Sequence, residues 1–245
     1  MAFSNKFASY AAILTTVSTV VTFVFAFLAV PRSGPLCASS CFGYPYTESI
    51  TRFPADYIWM YLAIVGLIIY TVLMVCIHRY ADSQRKTFSQ IGLSFALMSA
   101  LILLADYFIQ ISVIQPSLLL GELEGIALIS QYNPHGIFIA LEELGYILMS
   151  IAFLFMAPVF FRNKLEKALR YIFTANFALM VISFIVFSVL YGINREYRFE
   201  IAVIAINWLT LIPSGILLSM IFKRSLQLQE IGSEATTLET AQKSR

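Results

Sequence analysis

Three carboxylic acids, Asp106, Glu142 and Glu143, lie inside long apolar stretches, and two of them are neighbours in "YNPHGIFIALEELGY" (132–146). A carboxylate held away from water without a basic partner takes up a proton or binds a cation. Acids at similar depth in two neighbouring helices therefore suit a proton- or cation-linked binding site. Tyr146 follows Glu142 by four residues and Glu143 by three, so its hydroxyl is within helical reach of either. Gln110, one turn beyond Asp106, and Asn207, in a later apolar stretch, supply neutral ligands or orienting groups. Asp106, Gln110, Glu142, Glu143, Tyr146 and Asn207 are the candidate ion- or substrate-binding residues.

A plainer chemistry competes. Arg195 or Arg198 can reach down from a helix end and neutralise one glutamate, leaving only a structural ion pair. Replacing either glutamate by Gln separates the two readings through its effect on pH- or cation-dependent behaviour. His135 shares a helix face with Glu142, but two turns, about 10 Å, separate them. His135 and His78 fall at opposite faces of a bilayer, so they cannot share one haem or zinc. No metal site and no cofactor is expected. Phosphate loops, nucleophile elbows and zinc-protease motifs are absent, and no nucleophile has a matched base. An enzyme acting on a lipid or another apolar substrate is therefore the second reading, with a sensor or accessory subunit the third.

The elements that must carry these residues are membrane spans. Only 12% of the 245 residues are charged and 59% are hydrophobic, with mean hydropathy +0.80, whereas a soluble domain is roughly a quarter charged. A net charge of +2 without a basic, aromatic-interleaved surface segment argues against a nucleic-acid partner. The expected partner is the lipid bilayer.

Six apolar stretches, at about 8–30, 56–78, 88–114, 137–161, 169–191 and 200–222, each approach the roughly 20 residues needed to cross a bilayer. The fold class is an all-α, polytopic bundle over 1–224 with a polar tail, 225–245, expected to be mostly disordered. The first stretch is longer than a signal-peptide core, so it is read as a retained helix. Turn residues punctuate the spans: Pro31 and Ser33-Gly34-Pro35 after the first, Pro54 before the second, Pro116 closing the third. Asn133 is placed as the cap of the fourth, with Pro134 at its first position, and Gly192 and Asn194 separate the fifth from the sixth.

Lys6, Arg79, Arg85, Lys86, Arg162, Lys164, Lys167, Arg170, Lys223 and Arg224 collect at one side, against Arg32, Arg52, Arg195 and Arg198 at the other. By the positive-inside rule both termini are cytoplasmic in the cell membrane. Small and polar stripes mark helix contacts: Gly92, Ser99 and Asp106; Thr15, Thr19 and Thr22; Asn207, Thr210 and Ser214.

Two outer segments complete the pattern. Cys37 and Cys41 can form a small-loop disulfide in an oxidising compartment, while Cys76 reads as an apolar core residue. "SLLLGELEGIALI" (117–129) is too apolar for an ordinary loop and either lies in the interface or dips into the bundle. Glu122 and Glu124 within it would add negative potential above the acids. At "QYNPHGIFIALEELGY" and "LLADYFIQ" the chain resembles uncharacterised prokaryotic multi-pass membrane proteins. That resemblance implies a polytopic membrane protein and assigns no catalytic residue.

Overall fold

The structure, a computed structural model, describes the backbone of residues 2–29 and 31–243, and the side chains of 5–29, 31–195 and 197–228. In hydrocarbon every backbone N–H and C=O must be bonded within its own segment, so apolar stretches of this length fold as helices. The helices are α1 (Ala2–Leu28), α2 (Ile58–Tyr80), α3 (Lys86–Ile109), α4 (Gln115–Leu120), α5 (Ile126–Ile129), α6 (Ile137–Met156), α7 (Lys164–Tyr191) and α8 (Glu196–Lys243). No strand occurs among the described residues. Six helical segments are long and apolar enough to cross a membrane: Asn5–Leu28, Ala55–Tyr80, Ser83–Leu120, Ile137–Val159, Lys164–Asn194 and Tyr197–Leu228. The chain is thus an all-helical bundle of membrane-spanning type.

The long helices close a ring in the order α1, α2, α3, α6, α7, α8, with α6 also packed on α8 across it. Helix α6 is the centre: 61% of its apolar window is buried, against 17% for α7. Small residues let backbones approach. A β-carbon on Gly145 would lie 2.5 Å from Leu103, and one on Gly215 would lie 2.6 Å from the carbonyl oxygen of Ala12. The Gly92, Ser99, Asp106 stripe runs along α6, where the Ser99 hydroxyl donates to the Gly145 carbonyl at 2.7 Å. Helices α1 and α8 are joined through the Ser9 and Ser219 hydroxyls at 2.9 Å and through Thr16, which donates to the Ile212 carbonyl at 3.2 Å.

Two expected boundaries change. Pro116 does not close the third span. The helix widens into a π-turn at Gln110–Ile114 and continues through α4, with Pro116 in its first turn, where a missing N–H costs least. Gly121, at φ +75°, ends it, donating to the carbonyls of Leu118 and Ser117. Asn133 is likewise not the cap of α6, because Gly136 holds that position. Asn133 instead braces the preceding turn, accepting from the His135 N–H at 3.0 Å and donating to the Ala127 carbonyl at 2.8 Å.

The apolar 117–129 segment folds as α4, a turn and α5. Ile114, Leu118 and Ile126 form a small separate core against Ile50 and Ile129, and Glu122 and Glu124 are exposed on the turn. Cys37 and Cys41 are joined by a disulfide in the loop between α1 and α2. At the other end of the bundle α8 continues through Leu228 and is traced to Lys243. The tail expected to be disordered therefore begins as helix, and the side chains of 229–245 lie outside the described residues.

That tail end is locked by one carboxylate. Glu166 is buried in the first turn of α7. It accepts from the Tyr80 hydroxyl at 2.7 Å, the N–H groups of Phe161 and Arg162 at 3.0 and 2.8 Å, and the Asn163 amide at 3.2 Å. Arg162 stands 3.9 Å away and also reaches Asp82 at 3.5 Å.

Candidate functional site

Adjacent residues on a helix point about 100° apart, and this angle decides the fate of the glutamate pair. Glu143 turns toward the α7–α8 junction, where the Arg195 guanidinium donates to its carboxylate at 2.9 Å. Arg195 is itself held over the rings of Phe184 and Phe199, 4.8 and 5.7 Å from their centroids. Glu142 turns into the bundle and meets α3 and α8.

On the α3 side, Glu142 accepts from the Tyr107 hydroxyl at 2.6 Å. Tyr107 is 3.0 Å from the Tyr146 hydroxyl, which in turn receives the Trp208 indole N–H at 3.0 Å. The indole N–H donates at one end and the Tyr107 hydroxyl donates to Glu142 at the other, so the hydroxyl between them must pass its proton the same way. Trp208 donates to Tyr146, Tyr146 to Tyr107, and Tyr107 to Glu142. All four side chains are buried.

On the α8 side, Glu142 stands beside Glu200, the two carboxyls close enough to interact directly. Two ionised carboxylates have only acceptors, so a hydrogen bond between them requires a proton. Asp106 lies behind the pair, within electrostatic reach of Glu142 and Glu200. Its Oδ2 and the Oε2 of Glu200 are buried without a hydrogen-bond partner. Among the described residues no lysine or arginine forms an ion pair with Asp106, Glu142 or Glu200.

The pair faces a cavity of about 380 Å³ between the loop-end halves of α1 and α8. It is lined by Trp59, Phe138 and Glu142, by Glu200, Ile204 and Trp208 of α8, by Phe23 and Phe27 of α1, and by Pro31, Arg32 and Leu36 of the segment after α1. Asp56 also lines it but is satisfied. Arg52 grips it through two nitrogens, at 3.2 and 3.0 Å, and the Tyr132 hydroxyl donates to it at 3.0 Å. Burial, with help from Tyr57 and Asp56, pushes the Tyr132 phenol well above its ordinary value, so Tyr132 remains a donor to Asp56.

The candidate residues thus separate. Asp106, Glu142 and Tyr146 come together. Glu143 is paired elsewhere. Gln110 binds the 129–131 backbone, its amide donating to the Ile129 carbonyl at 2.5 Å and its oxygen accepting from the Gln131 N–H at 3.2 Å. Asn207 joins helices, donating to the carbonyls of Tyr146 and Val203 at 3.1 and 2.8 Å and lying within reach of Ser150. Asn176 of α7 also approaches it and donates to Thr210 at 2.9 Å. His135 is exposed at the α6 entrance.

Glu200 and Tyr107 are the residues that sequence reasoning passed over. Glu200 had a signal: it lies seven residues before Asn207 and eight before Trp208 on the same helix. A sixth span drawn from residue 200 puts it at the very end of the helix, whereas the helix begins at Glu196. Tyr107 had a weaker one, its position beside Asp106.

The fold and this site define an all-helical bundle with six helices long and apolar enough to span a membrane, and with a buried carboxyl pair lining a cavity. Comparison with family models, curated proteins and solved structures gave no match.

Proposed function

We propose that this chain is a small proton- or cation-linked binding or transport protein of the cell membrane, with Glu142 and Glu200 as the exchange site. The observation that supports it is the contact between two buried carboxyls that have no basic partner and line a cavity. A proton between them satisfies the pair when the cavity holds no cation. A cation arriving from the cavity makes the same charge compensation, so the proton leaves as it binds. Asp106 lies behind the pair, and the Tyr107 hydroxyl holds Glu142 in place. The groups in electrostatic reach of this site are Tyr107 and Asp106 from α3, Tyr146 from α6, Tyr197 from α8, and Glu143 in its pair with Arg195. Arg32 stands at the rim. The basic excess at the tail end favours both termini in the cytoplasm, which puts the cavity on the outer side.

The test is cation-dependent proton release from purified protein in weak buffer. Wild type is expected to release close to one proton per site on cation binding, and Glu142→Gln and Glu200→Gln to release none. Equal release from all three proteins, or none from wild type over a broad cation series, rejects the reading.

A further inference from the structure

The shape of the cavity says more than its charge. Helices α1 and α8 touch closely at the tail end, through Ser9 and Ser219 and through Ala12 and Gly215. Toward the loop end both helices line the cavity. Phe23 still meets Trp208 there, ring centroids 5.8 Å apart, and beyond that contact the cavity fills the gap. From α8 it is lined by Tyr197, Glu200, Ile201, Ile204, Ala205 and Trp208. These positions are spaced by three and four residues, one continuous helix face. Trp208 lies eleven residues beyond Tyr197, about 16 Å along the axis and so near the middle of a roughly 30 Å hydrocarbon core. The rim is not sealed from the side: Phe27 lines the cavity and is 81% exposed, and Ile201 is 39% exposed. On a spanning helix those surfaces face lipid.

The chemistry of the wall changes with depth and direction. The seam between α1 and α8 is apolar, formed by Phe23, Phe27, Ile201, Ile204 and Ala205. The interior presents Glu142, Glu200 and both tryptophans of the chain, Trp59 and Trp208. Carboxylates beside tryptophan rings recognise an organic ammonium through charge and ring-face attraction. A volume of about 380 Å³ is in the range of small-molecule sites and far larger than a bare ion fills. Glu200 lines it, and the Oε2 of this residue, which is 6% exposed, is buried without a protein hydrogen-bond donor.

We infer that the cavity takes an amphiphile with an ammonium head and a hydrocarbon chain, which enters sideways from the bilayer between α1 and α8. The head lies against Glu142, Glu200 and the tryptophans, and the chain lies along the seam. This rests on the cation-site reading above and names its substrate class.

The two tryptophans make the protein its own reporter. Full-length protein in nanodiscs of neutral lipid is titrated with decyltrimethylammonium, whose charge is fixed at every pH, while tryptophan emission is followed. Saturable quenching is expected. Tetramethylammonium, which lacks the chain, should bind at least ten-fold more weakly, and decyl sulfate should give no saturable change. Glu142→Gln and Glu200→Gln should each weaken decyltrimethylammonium at least ten-fold. Arg32→Gln, which removes a like charge from the rim, should tighten it. Ala205→Phe, which fills the seam without touching a carboxyl, should weaken decyltrimethylammonium and spare tetramethylammonium. That variant keeps the test decisive if a glutamate variant fails to fold.

Carboxyl-dependent binding of tetramethylammonium equal to that of the decyl compound overturns the lateral amphiphile and leaves the cation site standing. Carboxyl-independent quenching, or saturable binding of decyl sulfate, overturns both. Weaker binding in Arg32→Gln overturns the ammonium-headed ligand in favour of one that also carries an anion.

Discussion

The bundle buries a glutamate at each end, and the two are opposite in their surroundings. Glu166, at the tail end, is met by a tyrosine hydroxyl, two backbone N–H groups and a side-chain amide, with an arginine close by. Glu200, at the loop end, stands beside another carboxyl, and its Oε2 meets no protein donor. Burial is nearly the same, 1% and 6% exposed. What differs is the supply of donors. A carboxylate surrounded by donors is a fixed fastening. One that lacks them, beside a cavity, has charge left for a proton or a ligand. Glu143 sits between these extremes, close to Glu142 in sequence but clamped by Arg195 like a structural acid.

The largest effect should come from breaking the satisfied end. Glu166→Ala strands several donors at once and is expected to cost about 3 kcal/mol of stability, read as a lowered thermal midpoint in detergent. Tyr107→Phe removes the donor to Glu142 and leaves the Tyr146 hydroxyl without its acceptor, for a loss of about 2 kcal/mol. The same measurement reads it, and an unchanged midpoint would mean that the hydroxyl chain contributes nothing. Glu143→Gln leaves Arg195 without its charge partner but with its two ring contacts, and a loss of about 1 kcal/mol is expected because Arg195 is partly exposed. Restoration by the double variant Glu143→Gln, Arg195→Gln would show that the loss is the pair itself. Glu200→Gln should change the midpoint least, by less than about 1 kcal/mol, since its amide can donate to Glu142 as a shared proton does. A Glu200→Gln protein as unstable as Glu166→Ala would erase the contrast between the two ends.

Much of the architecture was legible in residue order. Apolar length alone set six helices, because hydrocarbon leaves the backbone no other way to bond. The Gly92, Ser99, Asp106 stripe marked a helix contact because a seven-residue spacing stays on one face. The acids at 106 and 142 stood out because charge is costly there. The end of the third span was not legible, since Pro116 reads as a stop unless the π-turn before it is known. Asn133 met the local rules for a cap, yet its side chain is taken up by the turn before the helix, through the Ala127 carbonyl and the His135 N–H.

The division between Glu142 and Glu143 marks the limit. By itself the sequence determined that two acids share a helix at shallow depth and point about 100° apart, because helix geometry is local. Only the tertiary structure decided that Arg195 lies in one direction and Glu200, Tyr107 and a cavity in the other. Which side chains meet across the bundle depends on how α3, α6 and α8 rotate and slide as their small residues pack. No spacing within a single helix encodes that.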